Sequence, residues 1–212
     1  MNKFIAYLDI LGFKQLVNSN SLDAVRLKLD KLISILGTTS EQYHDQLDII
    51  RFSDSIILIT KGSQSEDLDN LVQSILYIQI HAIQLQIPIK GAVSFGEILY
   101  EKEISLLIGK PLINAYTLQE EVKFIGVVID SKCQEQLDII QKVKKCISYD
   151  YIEVKEIPTK VGKLRYNHIN YISAILKIPQ FDKIHIQSQL YKLYYNADLG
   201  ARQYIDNTFE VF

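Results

Sequence analysis

A chain of 212 residues with 48% hydrophobic and 23% charged residues fits one large domain with one sizeable core, and excludes a disordered, collagenous or low-complexity chain. Lys+Arg 23 against Asp+Glu 25 leaves a net charge of −2, too weak a positive field to hold duplex nucleic acid or anionic lipid. No apolar run approaches the roughly 20 residues of a bilayer span, and Asp9 interrupts the opening MNKFIAYLDILGF where a signal peptide would stay apolar, so a cytoplasmic protein is expected, with no nucleic acid and no membrane as partner. Cys133 and Cys146 are the only cysteines and show no CxxC spacing, so they read as ordinary thiols.

In chain order, Lys3 to Asp9 reads as a buried strand ending in a carboxylate, after which Leu11-Gly12-Phe13 turns the chain towards a helix. Ser21-Leu22-Asp23 looks like a helix start, and Leu22, Val25, Leu29, Leu32, Ile33 and Leu36 recur at helical spacing until Gly37. Asp48 to Phe52 and Ser55 to Thr60 are Ile-rich runs split by Ser53-Asp54, the pattern of a tight hairpin whose turn presents Asp54. A second long helix opens at Glu66-Asp67 and runs to about Gln86, stopped by Pro88. Strands are expected over Ile89 to Glu97 and Ile98 to Leu107, then a helix from about Leu112 to Val122 led in by Gly109-Lys110-Pro111, then a strand over Gly126 to Asp130.

Strand, helix, two strands, helix, strand is a βαββαβ order. It predicts an α+β, ferredoxin-like core that closes into an antiparallel sheet, with both helices on one face and the first and third strands adjacent. The rest of the chain predicts C-terminal β/α additions: a helix near Ser131 to Lys144, strands around Tyr149 to Ile157 and Lys163 to Tyr166, and a Tyr-rich helix from about Asp182 to Asp206. No linker or internal repeat divides the sequence, so a single domain over 1–212 is expected, with its core in 1–130 and an extension over 131–212. The stripe Tyr191, Tyr194, Tyr195 and Tyr204 reads as a packing or dimer face. His44, His81, His168 and His185 lack ligand spacing and read as core or rim histidines.

With the first strand beside the hairpin, Asp9 and Asp54 face each other across a small gap. Like charges so placed repel unless a cation lies between them. Carboxylate oxygens are hard ligands suited to Mg²⁺ or Mn²⁺, and Mg²⁺ completes its shell with phosphate and water, so a nucleoside triphosphate is the natural third party. The Gly12 turn lets the N–H groups of Leu11, Gly12 and Phe13 point at an anion near a helix start. Taken singly, an aspartate at a strand end is most often a cap or turn former, and Ser-Asp-Ser between strands is most often only a turn. It is the combination that one chemistry needs.

Asp9-Ile10-Leu11-Gly12-Phe13 resembles the D-I-x-G-F element of class III nucleotidyl cyclases, and Asp54 follows 45 positions later, close to the separation of that family's two metal aspartates. Ile89 to Glu97 is similar to the family's R-x-G-[IV]-x-x-G strand, and Gly109 to Leu118 to its helix-opening G-x-x-V-N-x-A-x-R segment. The likeness is closest to divergent bacterial cyclase-like proteins, among them the pyrimidine cyclases of phage-defence (Pycsar) systems. Phe52-Ser53-Asp54-Ser55, Ala115-Tyr116-Thr117-Leu118-Gln119, Ile157-Pro158-Thr159-Lys160 and Asn170-Tyr171 answer to their motifs. The resemblance runs from Tyr7 to about Tyr171.

That resemblance implies a class III cyclase fold in which Asp9, the carbonyl of Ile10 and Asp54 hold two divalent ions, Mg²⁺ or Mn²⁺, on a triphosphate. The ribose 3′-hydroxyl would attack the α-phosphorus, pyrophosphate would leave, and a head-to-tail homodimer would place the sites at its interface. It nominates Leu11, Gly12, Phe13, Arg51, Ser53, Lys90, Tyr116 and Lys160 as substrate contacts. The departures bear on the base. Ile50 stands where adenylyl cyclases carry an adenine-reading Lys, Leu106 replaces their base-reading Asp, and Ile113 and Thr117 align with the Asn and Arg that steady the transition state, unless Asn114 acts in a shifted register. Gln119 replaces the acid of A-Y-x-L-E, with Glu120 and Glu121 adjacent. A pocket without those polar groups should not read adenine in the usual way. The expected activity is cyclisation of UTP or CTP in antiphage signalling. The alternatives are a cyclase-like module that binds a nucleotide or partner without turnover, and an adenylyl cyclase with a rebuilt pocket.

Overall fold

The structure is a computed structural model that describes residues 1–42, 45–143 and 147–212; His44 and Cys146 lie outside them. Its elements in chain order are β1 (Asn2–Ile10), α1 (Phe13–Asn18), α2 (Leu22–Gln42), β2 (Leu47–Phe52), β3 (Ser55–Thr60), α3 (Ser65–Gln84), β4 (Ile89–Glu101) and β5 (Leu106–Gly109). There follow α4 (Lys110–Glu121), β6 (Val127–Ile129), α5 (Gln134–Val143), β7 (Ile152–Thr159), β8 (Gly162–Ile169), α6 (Tyr171–Leu176), α7 (Lys183–Asn196) and α8 (Leu199–Val211).

Alternation along β1 creates the two faces of the sheet. Phe4, Ala6, Leu8 and Ile10 turn to one side and pack with Leu32 and Leu36 of α2 and Leu68, Leu71 and Ile75 of α3 in the main core. Ile5 turns to the other, where it meets Ile59, Ile98 and Ala115 of α4. Each fully buried aliphatic side chain in these clusters contributes about 1.5–3 kcal/mol. The strand order is β2-β3-β1-β4-β6-β8-β7, with β5 paired to β4. Taken as β1-α2-β2-β3-α3-β4, the chain has the expected α+β core, with β1 and β3 antiparallel neighbours and α2 and α3 on one face.

The sheet departs from a purely antiparallel one, because β6 runs parallel to β4. A parallel return needs a crossover, and α4 supplies it on the face opposite α2 and α3. The extension then continues the same sheet through β8 and β7. Four elements differ from expectation. Helix α2 passes through Gly37, whose φ is not left-handed, and ends only at Gln42; Thr39 is buried there and its hydroxyl bonds back to the Ile35 carbonyl at 2.9 Å. Residues 89–101 form one strand, since Gly96 at φ 149° lets the chain bend without leaving the ladder, and the reversal falls at Ser105, φ 54°. A short helix, α6, follows Asn170, whose side chain accepts from the Ser173 N–H. The last helix is two, because Asp198 caps a new start by accepting from the Ala201 N–H at 2.8 Å.

Cys133 is a free, fully buried thiol, and burial pushes its pKa up. Among the described residues no helix is long and apolar enough to cross a membrane.

Candidate active site

Asp9 is the penultimate residue of β1, on the face covered by α4. Its register partners are Ser55 on β3 and Lys90 on β4, and Ser55 in turn pairs with Phe52 on β2. Directly opposed residues share a face, so Phe52, Ser55, Asp9 and Lys90 form one row across four strands. Asp54 sits in the two-residue turn joining β2 to β3, and its carbonyl accepts the Ile10 N–H at 3.1 Å, which fastens the turn to the end of β1. Ser53, exposed in that turn, holds a left-handed φ of 55°, a conformation that costs a residue with a Cβ about 1 kcal/mol or more.

The electrostatics follow from this packing. Burial, with the charges of Asp54 and Glu120 acting in the same direction and Lys90 against them, lifts the Asp9 carboxyl from 3.8 to about 6. Asp9 and Asp54 therefore share one field. Tyr7, two residues back on the same face, bonds through its hydroxyl to the Ser55 hydroxyl at 2.6 Å, and its ring meets that of Tyr116 edge-on at 5.3 Å. Burial raises the Tyr7 phenol, the Ser55 bond opposes that, and Asp9 adds to it.

Lys90 is 4% exposed, not a solvated surface lysine. Its Nζ donates to the Gln119 carbonyl at 3.1 Å, lies 3.6 Å from Glu120 Oε1 and rests over the Tyr204 ring at 5.5 Å. Lys160, in the β7–β8 turn and half-exposed, reaches Glu120 Oε2 at 3.8 Å and Glu121 Oε1 at 3.5 Å. Glu120 thus bridges the two lysines, a role its sequence position beside Gln119 only hints at.

The nominated contacts divide. Lys90 is the cross-strand partner of Asp9, Ser53 precedes Asp54 in the turn, Tyr116 meets Tyr7 on the same face, and Lys160 is joined to Lys90 through Glu120. Arg51 does not reach this face: it pairs with Ile56, a member of the core on the α2–α3 side, while Ile50 pairs with Ile57 and faces the same way as Tyr7. The turn after β1 is also narrower as an anion cradle than the sequence suggests, because the Leu11 N–H is spent on the Pro88 carbonyl at 2.9 Å. Gly12 and Phe13 remain, and among the described residues their N–H groups make no backbone bond. Gly12 adopts φ 78° and ψ 15° before α1. A Cβ there would touch nothing within 4 Å, so Gly12→Ala meets conformational strain alone. It is expected to cost about 1 kcal/mol, a melting-temperature drop of about 2–4 °C by calorimetry.

No group of three or more His, Cys, Asp or Glu side chains suited to a metal occurs among the described residues. His81 Nδ1 bonds the Tyr77 carbonyl, His168 Nδ1 the Glu153 carbonyl, and His185 contacts Gln189. Asp9 and Asp54 make a two-carboxylate set, which fits a hard cation that shares its shell with phosphate better than one held in an all-protein cage.

No family profile and no curated protein sequence matches the chain. Solved structures do. The adenylyl cyclase CyaB from P. aeruginosa is similar with a TM-score of 0.58 at 15% identity, covering 79% of this chain and 93% of that one. The guanylyl cyclase Cya2 gives 0.58 at 14%, covering 80% and 91%. The guanylate cyclase domain of RhGC from Catenaria anguillulae, solved with GTP, gives 0.56 at 15%, covering 79% and 95%. At such identities the likeness establishes the fold, that of a class III cyclase domain.

Proposed function

We propose that this protein is a nucleotidyl cyclase that converts a ribonucleoside triphosphate to a 3′,5′-cyclic nucleotide and pyrophosphate. The observation that carries the reading is the shared field of Asp9 and Asp54 on the α4 side of a sheet of this fold, with the left-handed Gly12 turn directly after β1. Asp9, Asp54 and the Ile10 carbonyl would hold Mg²⁺ or Mn²⁺, which when bound neutralises the triphosphate and acidifies the ribose 3′-hydroxyl. The amides of Gly12 and Phe13 would receive phosphate oxygens. Lys90 and Lys160, drawn towards the site through Glu120, supply positive charge at its margin. The work left to the side chains is placement and charge stabilisation.

The base reading favours a pyrimidine. Ile50, beside Ile57 on the face of Asp9, and Leu106 on β5 leave no polar partner for adenine where adenylyl cyclases carry one, so UTP or CTP is the preferred substrate, in an antiphage signalling role. A head-to-tail homodimer is favoured by apolar groups around the site: Phe52 is 80% exposed, Ile113 64% and Tyr116 48%. Ile113 and Thr117, both exposed on α4, also support the second reading, a module that binds a nucleotide without turnover.

Incubation of the protein with each of the four ribonucleoside triphosphates and Mn²⁺ tests these readings. Cyclic UMP or cyclic CMP with stoichiometric pyrophosphate is expected. Cyclic AMP would indicate a rebuilt adenylyl cyclase, and no product with saturable nucleotide binding would indicate the module.

A further inference from the structure

On the side of β1 away from Asp9 lies a cavity of about 420 Å³, within the usual size of small-molecule sites. Its walls include Leu16 of α1, Ile87 after α3, Leu193 of α7 and Ile205 of α8; Gly12 and Phe13 of the turn after β1 also line it, whereas neither Asp9 nor Asp54 does. Lys28 of α2 is the one charged side chain among its lining residues. We propose that this cavity is a binding site for a small monoanionic ligand with an apolar body, its head group on the Lys28 ammonium.

Three observations carry the assignment. First, Lys28 has no carboxylate or other hydrogen-bonding partner among the described residues, although it is half-buried. Burial lowers its pKa, and no acid nearby raises it again, so the site has an uncompensated desolvation cost that an anion would offset. Second, the remaining walls are mostly aliphatic, with Gln15, Ser19, Asn20, Gln86 and Asn196 the polar side chains among them, which suits an apolar body. Third, the cavity is bounded by tied elements and not by a loose flap. The Asp198 N–H donates to Gln15 Oε1 at 3.3 Å, joining the α7–α8 turn to α1. Gln86, at φ 58°, is anchored by its amide to Gln189 Oε1 at 2.7 Å.

The site also touches the turn beside the carboxylate pair. Leu11 and Pro88 both line the cavity, and they are joined by the 2.9 Å bond from the Leu11 N–H to the Pro88 carbonyl. Occupancy therefore alters the exchange of that amide with solvent, whether or not the protein turns over a nucleotide.

The test is a titration of the wild-type protein with 8-anilino-1-naphthalenesulfonate, an anion with an aromatic body, read by fluorescence and challenged with octanoate, 1-octanol and octylamine. One saturable site is expected, displaced by octanoate, at least about tenfold less well by 1-octanol, and not by octylamine. Lys28→Met should weaken the probe by at least about tenfold. Ala24→Trp, at an exposed lining position of α2, should block it without changing the circular dichroism. The probe should slow hydrogen exchange at the Leu11 amide in wild type and not in Ala24→Trp. Absence of saturable binding, wild-type affinity in both variants, or equal competition by 1-octanol and octanoate overturns the assignment. Neither variant touches Asp9 or Asp54, so the outcome is independent of cyclase activity.

Discussion

Asp54→Ala is expected to lower pyrophosphate release from the preferred nucleotide by at least about a thousandfold, with the melting temperature nearly unchanged. The activity loss follows from removing one of the two carboxylates that the proposed chemistry shares. Stability survives because the structural duty of Asp54 belongs to its backbone: its carbonyl accepts the Ile10 N–H, and its side chain makes no hydrogen bond among the described residues. Asp54→Asn, equal in shape and without the charge, should be nearly as inactive. Near-wild-type turnover in both variants would remove the carboxylate pair from the reaction. Continuous pyrophosphate detection at saturating Mn²⁺ makes the comparison direct.

Asp9→Asn is expected to do two opposite things: abolish turnover and stabilise the fold at neutral pH. The native carboxyl titrates near 6 and the unfolded one near 3.8, so the folded state holds its proton more tightly. Native stability therefore falls as pH rises through the window from 3.8 to about 6, and the loss is complete above it. A shift of that size corresponds to about 3 kcal/mol in a closed site, and solvent access to a partly exposed carboxyl reduces it to about 2 kcal/mol. Asparagine removes that cost, and Lys90 keeps Glu120 as its counter-charge at 3.6 Å. Denaturant unfolding at pH 7.5 should show the variant more stable by about 2 kcal/mol, with the gain gone below pH 4. Mn²⁺ should raise the wild-type midpoint and leave that of Asp9→Asn unchanged. A variant less stable than wild type at pH 7.5 would contradict the raised carboxyl.

The parts of this site that local signals determine are legible in the sequence. An apolar run closing on Asp9 and a two-residue gap between Ile-rich runs announce β1 and the β2–β3 hairpin, and their adjacency follows from the βαββαβ order. Tyr7 is equally legible by alternation, being two residues from Asp9 on the same side of a strand. Arg51 shows the same rule from its other side. Nearness in sequence to Ile50 nominates it, whereas period-two alternation sends it to the opposite face. The burial of Lys90 is of another kind. Its companions Gln119 and Glu120 come from α4 and Tyr204 from α8, and only the crossover of α4 and the return of the last helix bring them within reach. No local pattern encodes that. The parallel placement of β6 escapes for the same reason, since it depends on where α4 lays the chain down.

The row Phe52–Ser55–Asp9–Lys90 makes correct folding and assembly of the site a single event. Side chains alternate between faces at every step along a strand, so an offset of one position in β1 would send Asp9 into the greasy layer beneath α2 and α3 and bring Leu8 out in its place. Partial function by a misaligned molecule is thereby ruled out. Insertion or deletion of one residue within β1 would be lost outright, while length changes in the loops after Asn18 or Thr60 leave the alignment alone. Variation in chain length among proteins built this way should concentrate in those connections.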